Sequence, residues 1–560
     1  MNEHSRYPGF LKSLLIISAF FALAPGIAGT QEFKKSLSPW MGRSLVNTKY
    51  GIVQGETDRA GTYAWRGLPY AQAPVGALRW KAPQPPLSWD NVLHGDKFSD
   101  SSLQKLPLGN WTSGSEDSLY LNIWRPADAR PDLPVYVWIH GGGNSIGSAS
   151  QTTDYLGYNF ASKIGSVFVS LNYRLGVLGW FRHPDLASGN PRDDSGNYGT
   201  LDLIAALEWI QDNITAFGGN PRNVTIAGES AGAFNVLTLM LAPDARGLFH
   251  RAVAQSPYRT DATLPKAKHF AQGLADKLAR KDGLAAPPQG EDFAPWIRSF
   301  SGKEILSQVG RGVAGMSPFP YPIWDGTVLP SEGFLAFSDP RKVVDVPLIL
   351  GTNKEETKVF QIFGRQNPKD PFYQIGAEVA SAAWKASGAD SVADAIVSGD
   401  GARKVYLYRF DWGAPDGNGK SVLGGNAGLL LGAAHGVDIP FFLQNDSLFG
   451  NLLPLPVFTS KNEPGRKALK RAIGLYMLSF MEKGEPSSSA GEILPLWKFW
   501  DSAAKEPSFL ILDADFEALR IREGRGRVTF ASIRTWIDSL DEGMRERLHE
   551  SARAYSDQFP

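Results

Sequence analysis

The stretch Val224-Thr225-Ile226-Ala227-Gly228-Glu229-Ser230-Ala231-Gly232-Ala233 decides how the rest of the chain is read. Val224 to Ala227 is a short, β-branched apolar run of the kind that forms a buried strand, and the run from Ala233 to Leu241 has a helical pattern. Between them stands Gly228-x-Ser230-x-Gly232. A G-x-S-x-G at a strand-to-helix turn is a nucleophile elbow. Its glycines admit a tight turn that pushes the serine hydroxyl out above the sheet, and the helix N-terminus points free N–H groups toward developing negative charge. The letters alone are modest evidence, since glycine and serine are common and Ser230 read in isolation is a plain turn residue. The flanking strand and helix are what give the motif weight.

Further strand candidates lie on both sides of the elbow. Val135 to Ile139 (VYVWI) and Ser166 to Leu171 (SVFVSL) precede it, and Val346 to Leu350 (VPLIL), Val405 to Phe410 and Phe509 to Leu512 follow. Residues 199–216 carry Leu201, Ile204, Ala205, Leu207, Ile210 and Ile214 at helical spacing. Residues 467–482 and 535–555 read as late amphipathic helices that pack on the sheet. Strands alternating with helices predict an α/β chain with a mainly parallel central sheet flanked by helices. Residues 258–345, richer in proline and glycine, read as an insertion or lid. There is no internal repeat and no low-complexity linker.

A serine nucleophile needs a base, and the base needs an orienting carboxylate, in the chain order serine, acid, histidine for this type of elbow. Four histidines follow Ser230: His250, His269, His435 and His549. His549 falls in a charged terminal helix, and His250 and His269 come before the later strands that should deliver the acid and base. His435, in the small-residue turn GAAHGVDIPFF, is the candidate base. For the acid, Glu355 and Glu356 both follow VPLIL through the turn GTNK, and spacing leaves the choice between them open. Negative charge in the transition state needs donors. The run His140-Gly141-Gly142-Gly143-Asn144 follows the strand candidate Val135 to Ile139, and its amides can approach a substrate oxygen because no Cβ intervenes. A phosphate loop is the competing reading, but the cluster fits neither G-x-G-x-x-G nor a Walker sequence.

Composition narrows the chemistry. The 560 residues are 43% hydrophobic and 20% charged, with 57 basic and 57 acidic side chains, an ordinary globular balance with no electrostatic footprint for nucleic acid. There is no cysteine, which excludes disulfides, thiolate catalysis and cysteine-ligated zinc. The eight histidines are scattered and no H-E-x-x-H occurs, so no metal site is expected. Residues 1–28 read as a signal peptide: Arg6 and Lys12, the apolar run Leu14 to Ala24, then Gly26 and Ala28 at the −3 and −1 positions. Ala22 and Ala24 offer an alternative cleavage site, and an uncleaved anchor is the alternative reading. No later stretch has 18 uninterrupted apolar residues, so an exported, soluble chain in the periplasm or outside the cell is expected, with residues 29–560 as one domain.

Several longer segments occur in a characteristic order: WRGLPYAQAPVGALRW (65–80), SEDSLYLNIWRP (115–126), VSLNYRLGVLGW (169–180), FGGNPRNVTIAGESAGA (217–233), GTNKEET (351–357) and HGVDIPFF (435–442). Together they resemble the type-B carboxylesterases, the family of cholinesterases and bacterial para-nitrobenzyl esterases, over roughly residues 45–515. The resemblance implies an α/β-hydrolase fold with a gorge above the sheet and a serine esterase that works without a cofactor on small-molecule esters. It places the nucleophile at Ser230, the base at His435 and the acid at Glu356 rather than Glu355. The oxyanion donors map to the amides of Gly142, Gly143 and Ala231, and two structural ion pairs to Glu116 with Arg79 and Asp202 with Arg174.

Three positions depart from the family pattern. Ser118 stands where a disulfide cysteine is usual. Asn144 replaces an aromatic after the glycine triplet, which predicts a more polar gorge near the oxyanion hole. Gln255-Ser256-Pro257 replaces QSG. A catalytically inactive binding relative, or a hydrolase preferring amides, thioesters or lactones, are the alternative functions. The substrate's identity and the oligomeric state are not legible in the sequence.

Overall fold

In the predicted strands, alternate residues are apolar on both faces, so each must be covered from two sides, and the computed structural model shows how. It describes residues 40–556 apart from 107–110, 151, 260–261, 313–315, 317–320, 362–366, 368, 399–402, 452–454 and 489–492. The signal-peptide reading of residues 1–28 lies outside the described residues. Contacts divide the chain into residues 1–36 and 37–560, and every element below belongs to the second unit.

An eleven-stranded sheet is its centre. In chain order the strands are β1 (Glu56–Asp58), β2 (Thr62–Pro69), β3 (Tyr120–Pro126), β4 (Leu133–Ile139), β5 (Val167–Leu171), β6 (Gly219–Glu229), β7 (Arg251–Gln255), β8 (Leu348–Asn353), β9 (Val405–Phe410), β10 (Ser508–Leu512) and β11 (Arg522–Arg525). Across the sheet the order is β11-β10-β9-β8-β7-β6-β4-β5-β3-β2-β1. The run from β10 to β5 is parallel, and the strands at both margins are antiparallel.

The two-residue period of the strands sorts their side chains. Val135, Val137, Ile139, Val224 and Ile226 face one core with α1 (Tyr198–Asn213) and α2 (Ala231–Leu241). Tyr136, Trp138, Phe168 and Ala227 face the other, covered by Leu469, Ile473, Met477 and Phe480 of α7 (Glu463–Lys483). The lid-like region contains α3 (Leu264–Lys281), α4 (Phe293–Ser299) and α5 (Gly302–Gln308), whose apolar faces meet Trp80, Val177 and Phe181 in a smaller third cluster. Further on, α6 (Pro371–Trp384) precedes β9. The expected terminal helix over 535–555 is two helices, α8 (Phe530–Asp538) and α9 (Glu542–Ser556), broken at the turn after Asp538.

Both ion pairs implied by the resemblance form. Arg79 grips Glu116 through Nε and Nη2 at 2.6 and 2.7 Å. Arg174 holds Asp202 at 2.8 and 2.7 Å, and its own backbone N–H donates to the same carboxylate at 3.0 Å. Where a disulfide is usual, the Ser118 hydroxyl lies 2.9 Å from that of Ser102, which in turn donates to the Tyr173 carbonyl at 2.7 Å. A buried hydrogen bond thus ties Ser118 to the segment of Ser102. Ser118→Ala should lower unfolding free energy by about 1 kcal/mol, read from urea denaturation; no change would mean the pair is energetically idle.

Candidate active site

The carboxyl ends of the parallel strands are where an α/β sheet collects its functional side chains, and four of them converge here. β6 ends in Glu229 and turns at Ser230 into α2. Ser230 takes φ 59° and ψ −122°, a backbone conformation that costs a non-glycine residue on the order of 1–3 kcal/mol. Its N–H donates to the Gln255 carbonyl at the end of β7 (2.9 Å), and its carbonyl accepts from Phe234 (2.9 Å). Gly232 is required by space rather than by φ: a Cβ there would collide with the Ile139 carbonyl, because α2 starts directly over the end of β4.

β4 leads into the glycine cluster. Gly142 has φ +100° and Gly143 φ +60°. The Gly142 carbonyl accepts from the amides of Ser145 and Ile146, closing a turn. The amides of Gly142, Gly143 and Ala231 donate to no protein acceptor among the described residues, and Ala231 directly follows Ser230. His140, stacked on Tyr173 with ring centres 4.6 Å apart, has its pKa lowered by burial to about 4.

The candidate acid follows β8, and the candidate base lies on a later loop. His435 Nδ1 lies 2.7 Å from Glu356 Oε2, while Glu356 Oε1 accepts the Asn353 amide at 2.7 Å. Glu355 points away: its carboxylate pairs with buried Lys358 at 2.6 Å and accepts the Ala433 amide at 3.0 Å, so it braces the loop that carries His435. Geometry therefore separates two neighbouring glutamates that spacing could not. Beneath the histidine, buried Asp438 accepts from Tyr408 (2.8 Å), Gln255 (3.0 Å) and Asn353 (3.2 Å).

Glu229 was visible in the elbow but carried no expected role. Its Oε1 lies 3.1 Å from His435 Nε2, and among the described residues Nε2 makes no hydrogen bond with Ser230. Burial raises the Glu229 carboxyl to about 8 against the opposing pull of His435. Burial alone would lower the His435 imidazole, but Glu229, Glu356 and Asp438 together hold it at about 9. Trp384 and Phe360 were also missed; their rings lie 4.9 and 5.3 Å from that of His435 and stack on each other. Nothing in their sequence neighbourhood marks them, since tertiary packing alone brings them in.

One expectation is corrected. Asn144 does not make the gorge more polar: its side chain is fully buried and bonds to Asn235 and Tyr173. A left-handed φ of 50° turns it inward.

A model of the carboxylesterase family matches residues 42–382. The chain belongs to the carboxylesterase family. This carboxylesterase is 30% identical over 514 residues to a para-nitrobenzyl esterase of Bacillus subtilis, covering 85% of the chain and 96% of that enzyme. It is 38% identical over 331 residues to a fumonisin B1 esterase of Sphingopyxis macrogoltabida, covering 56% of each. Among solved structures it superimposes on a Geobacillus stearothermophilus carboxylesterase with a TM-score of 0.68 at 29% identity, over 88% of this chain and 99% of that one. The fold is that of the α/β-hydrolases, and the chain is a carboxylic ester hydrolase of small-molecule esters.

The Glu229–His435 contact has a consequence for pH. A base must be neutral to accept a proton, so with His435 as the candidate base activity is expected to rise with pH through its pKa. Removing the Glu229 charge favours neutral imidazole and lowers that pKa. Glu229→Gln should therefore move the acid limb of kcat/KM for p-nitrophenyl acetate to lower pH. An unmoved limb, or one moved upward, would contradict the contact.

Proposed function

We propose that Ser230, His435 and Glu356 hydrolyse the ester by two-step acyl transfer. His435 Nε2 takes the hydroxyl proton as Ser230 Oγ bonds to the ester carbonyl carbon. The tetrahedral oxyanion is received by the amides of Gly142, Gly143 and Ala231, each such donor contributing roughly 3 kcal/mol at comparable sites. Collapse breaks the bond to the alcohol oxygen, which leaves with the proton from His435. Water then attacks the acyl-serine by the same route, releasing the acid and restoring Ser230. Glu356 holds the imidazole tautomer and stabilises the imidazolium throughout.

The observation that carries this reading is the placement of His435, bound to Glu356 on one nitrogen and facing the residue before Ser230 on the other. The Ser230–His435 hydrogen bond is expected to form as substrate binds, since catalytic hydrogen bonds often tighten only in the reacting complex. Hydrolysis of p-nitrophenyl acetate, butyrate and octanoate by wild type and Ser230→Ala tests it. Serine-dependent turnover supports the reading, and turnover that survives the substitution overturns it.

Export belongs to the same proposal. Residues 1–28 would be removed after Ala28, a reading supported by the apolar run Leu14 to Ala24 and the small residues beyond it. No helix among the described residues is long and apolar enough to cross a membrane. N-terminal sequencing of the protein from a bacterial periplasm or medium tests this, with Gly29 expected first.

A further inference from the structure

Two parts of the chain would have to hold one oxyanion: the loop with Gly142 and Gly143, and the first turn of α2 with Ala231. They are 88 and 89 positions apart in sequence, and their amides are useful only at a fixed separation. We infer that Asn144 and Asn235 are positioning residues that lock these two halves together; the inference rests on the oxyanion assignment above.

The two side chains form a reciprocal amide pair. Asn235 Nδ2 donates to Asn144 Oδ1 at 2.9 Å, and Asn144 Nδ2 donates to Asn235 Oδ1 at 3.3 Å. Asn144 directly follows Gly143, and Asn235 lies one helical turn beyond Ala231 in α2. Two parallel hydrogen bonds fix orientation as well as distance, unlike a single one. Both side chains are 0% exposed, so no water competes for them. The Tyr173 hydroxyl reaches the same site, 3.2 Å from Asn144 Oδ1 and 2.8 Å from the His140 carbonyl at the start of the loop. The Asn144 carbonyl accepts the Gly176 amide at 2.7 Å.

Residue type follows from the geometry. Position 144 has φ 50°, which asparagine adopts more readily than other side chains. An aromatic there would fill space but could not bond to α2. The pair is fully buried, so its effect passes through the amides it places. Displacing a donor by about 1 Å costs on the order of 10²-fold.

The test replaces Asn235 with leucine, which keeps volume and removes the pair, and separately replaces Asn144 with alanine. kcat and KM are measured for an ester and for its thionoester, whose thiocarbonyl sulfur is poorly stabilised by amides arranged for oxygen. Asn235→Leu should lower ester kcat by about 10- to 100-fold with KM nearly unchanged, and should pull the ester-to-thionoester ratio toward one. Asn144→Ala should do the same if Asn235→Leu does not fold. A folded variant that keeps the wild-type ratio overturns the inference, as does an equal loss on both substrates. A wild type that shows no preference for the ester would instead overturn the oxyanion assignment itself.

Discussion

Ser230→Ala should lower kcat for p-nitrophenyl acetate by about 10⁴- to 10⁶-fold while leaving the thermal transition in place. The expectation follows from what Ser230 does not do. Its backbone bonds to Gln255 and Phe234, and among the described residues its hydroxyl makes no hydrogen bond. The backbone conformation at φ 59° is held by β6, β7 and α2 and is equally available, at equal strain, to alanine. Activity and stability therefore separate at this position. A large fall in Tm would show that the hydroxyl has a structural role, and retained kcat would remove Ser230 from the chemistry.

Asp202→Ala should have the largest effect on stability, about 3–5 kcal/mol. Asp202 is 0% exposed and Arg174 4%, so removing the carboxylate strands a guanidinium and a backbone amide where water cannot reach them. The comparison is Asp212→Ala, which removes an ion pair to Lys49 of similar length but with side chains 47% and 57% exposed. Solvent screens that pair, and its contribution should lie within about 1 kcal/mol. Against a total stability of roughly 5–15 kcal/mol, the first substitution removes a substantial share and the second is barely measurable. Urea denaturation of both variants decides the matter; equal shifts would mean that Arg174 finds another partner or water on losing Asp202.

How much of this was legible in the sequence depends on distance along the chain. The elbow, the glycine cluster and the central strands each span eleven residues or fewer, and their patterns are local: β9 occupies Val405–Phe410 as expected, and α2 begins beside the serine. Adjacent carboxylates are harder. Glu355 and Glu356 share a turn, and only the third dimension shows that one meets Lys358 and the other His435. Asn144 was misread because its partner Asn235 is 91 positions away, so the type of side chain was visible and its direction was not. Trp384 and Phe360 reach His435 through packing alone. The break between α8 and α9 was missed because a helical pattern continues across a turn that capping and local hydrogen bonds create.

A fluorophosphonate of small alkyl size tests the central claim most directly, because it reacts with an activated serine whatever the natural ester is. Intact mass after incubation, followed by peptide mapping, should show one phosphonyl group per chain on Ser230, with labelling slowed by orders of magnitude in His435→Ala. Labelling of another residue, or labelling of Ser230 at the same rate without His435, would contradict the account.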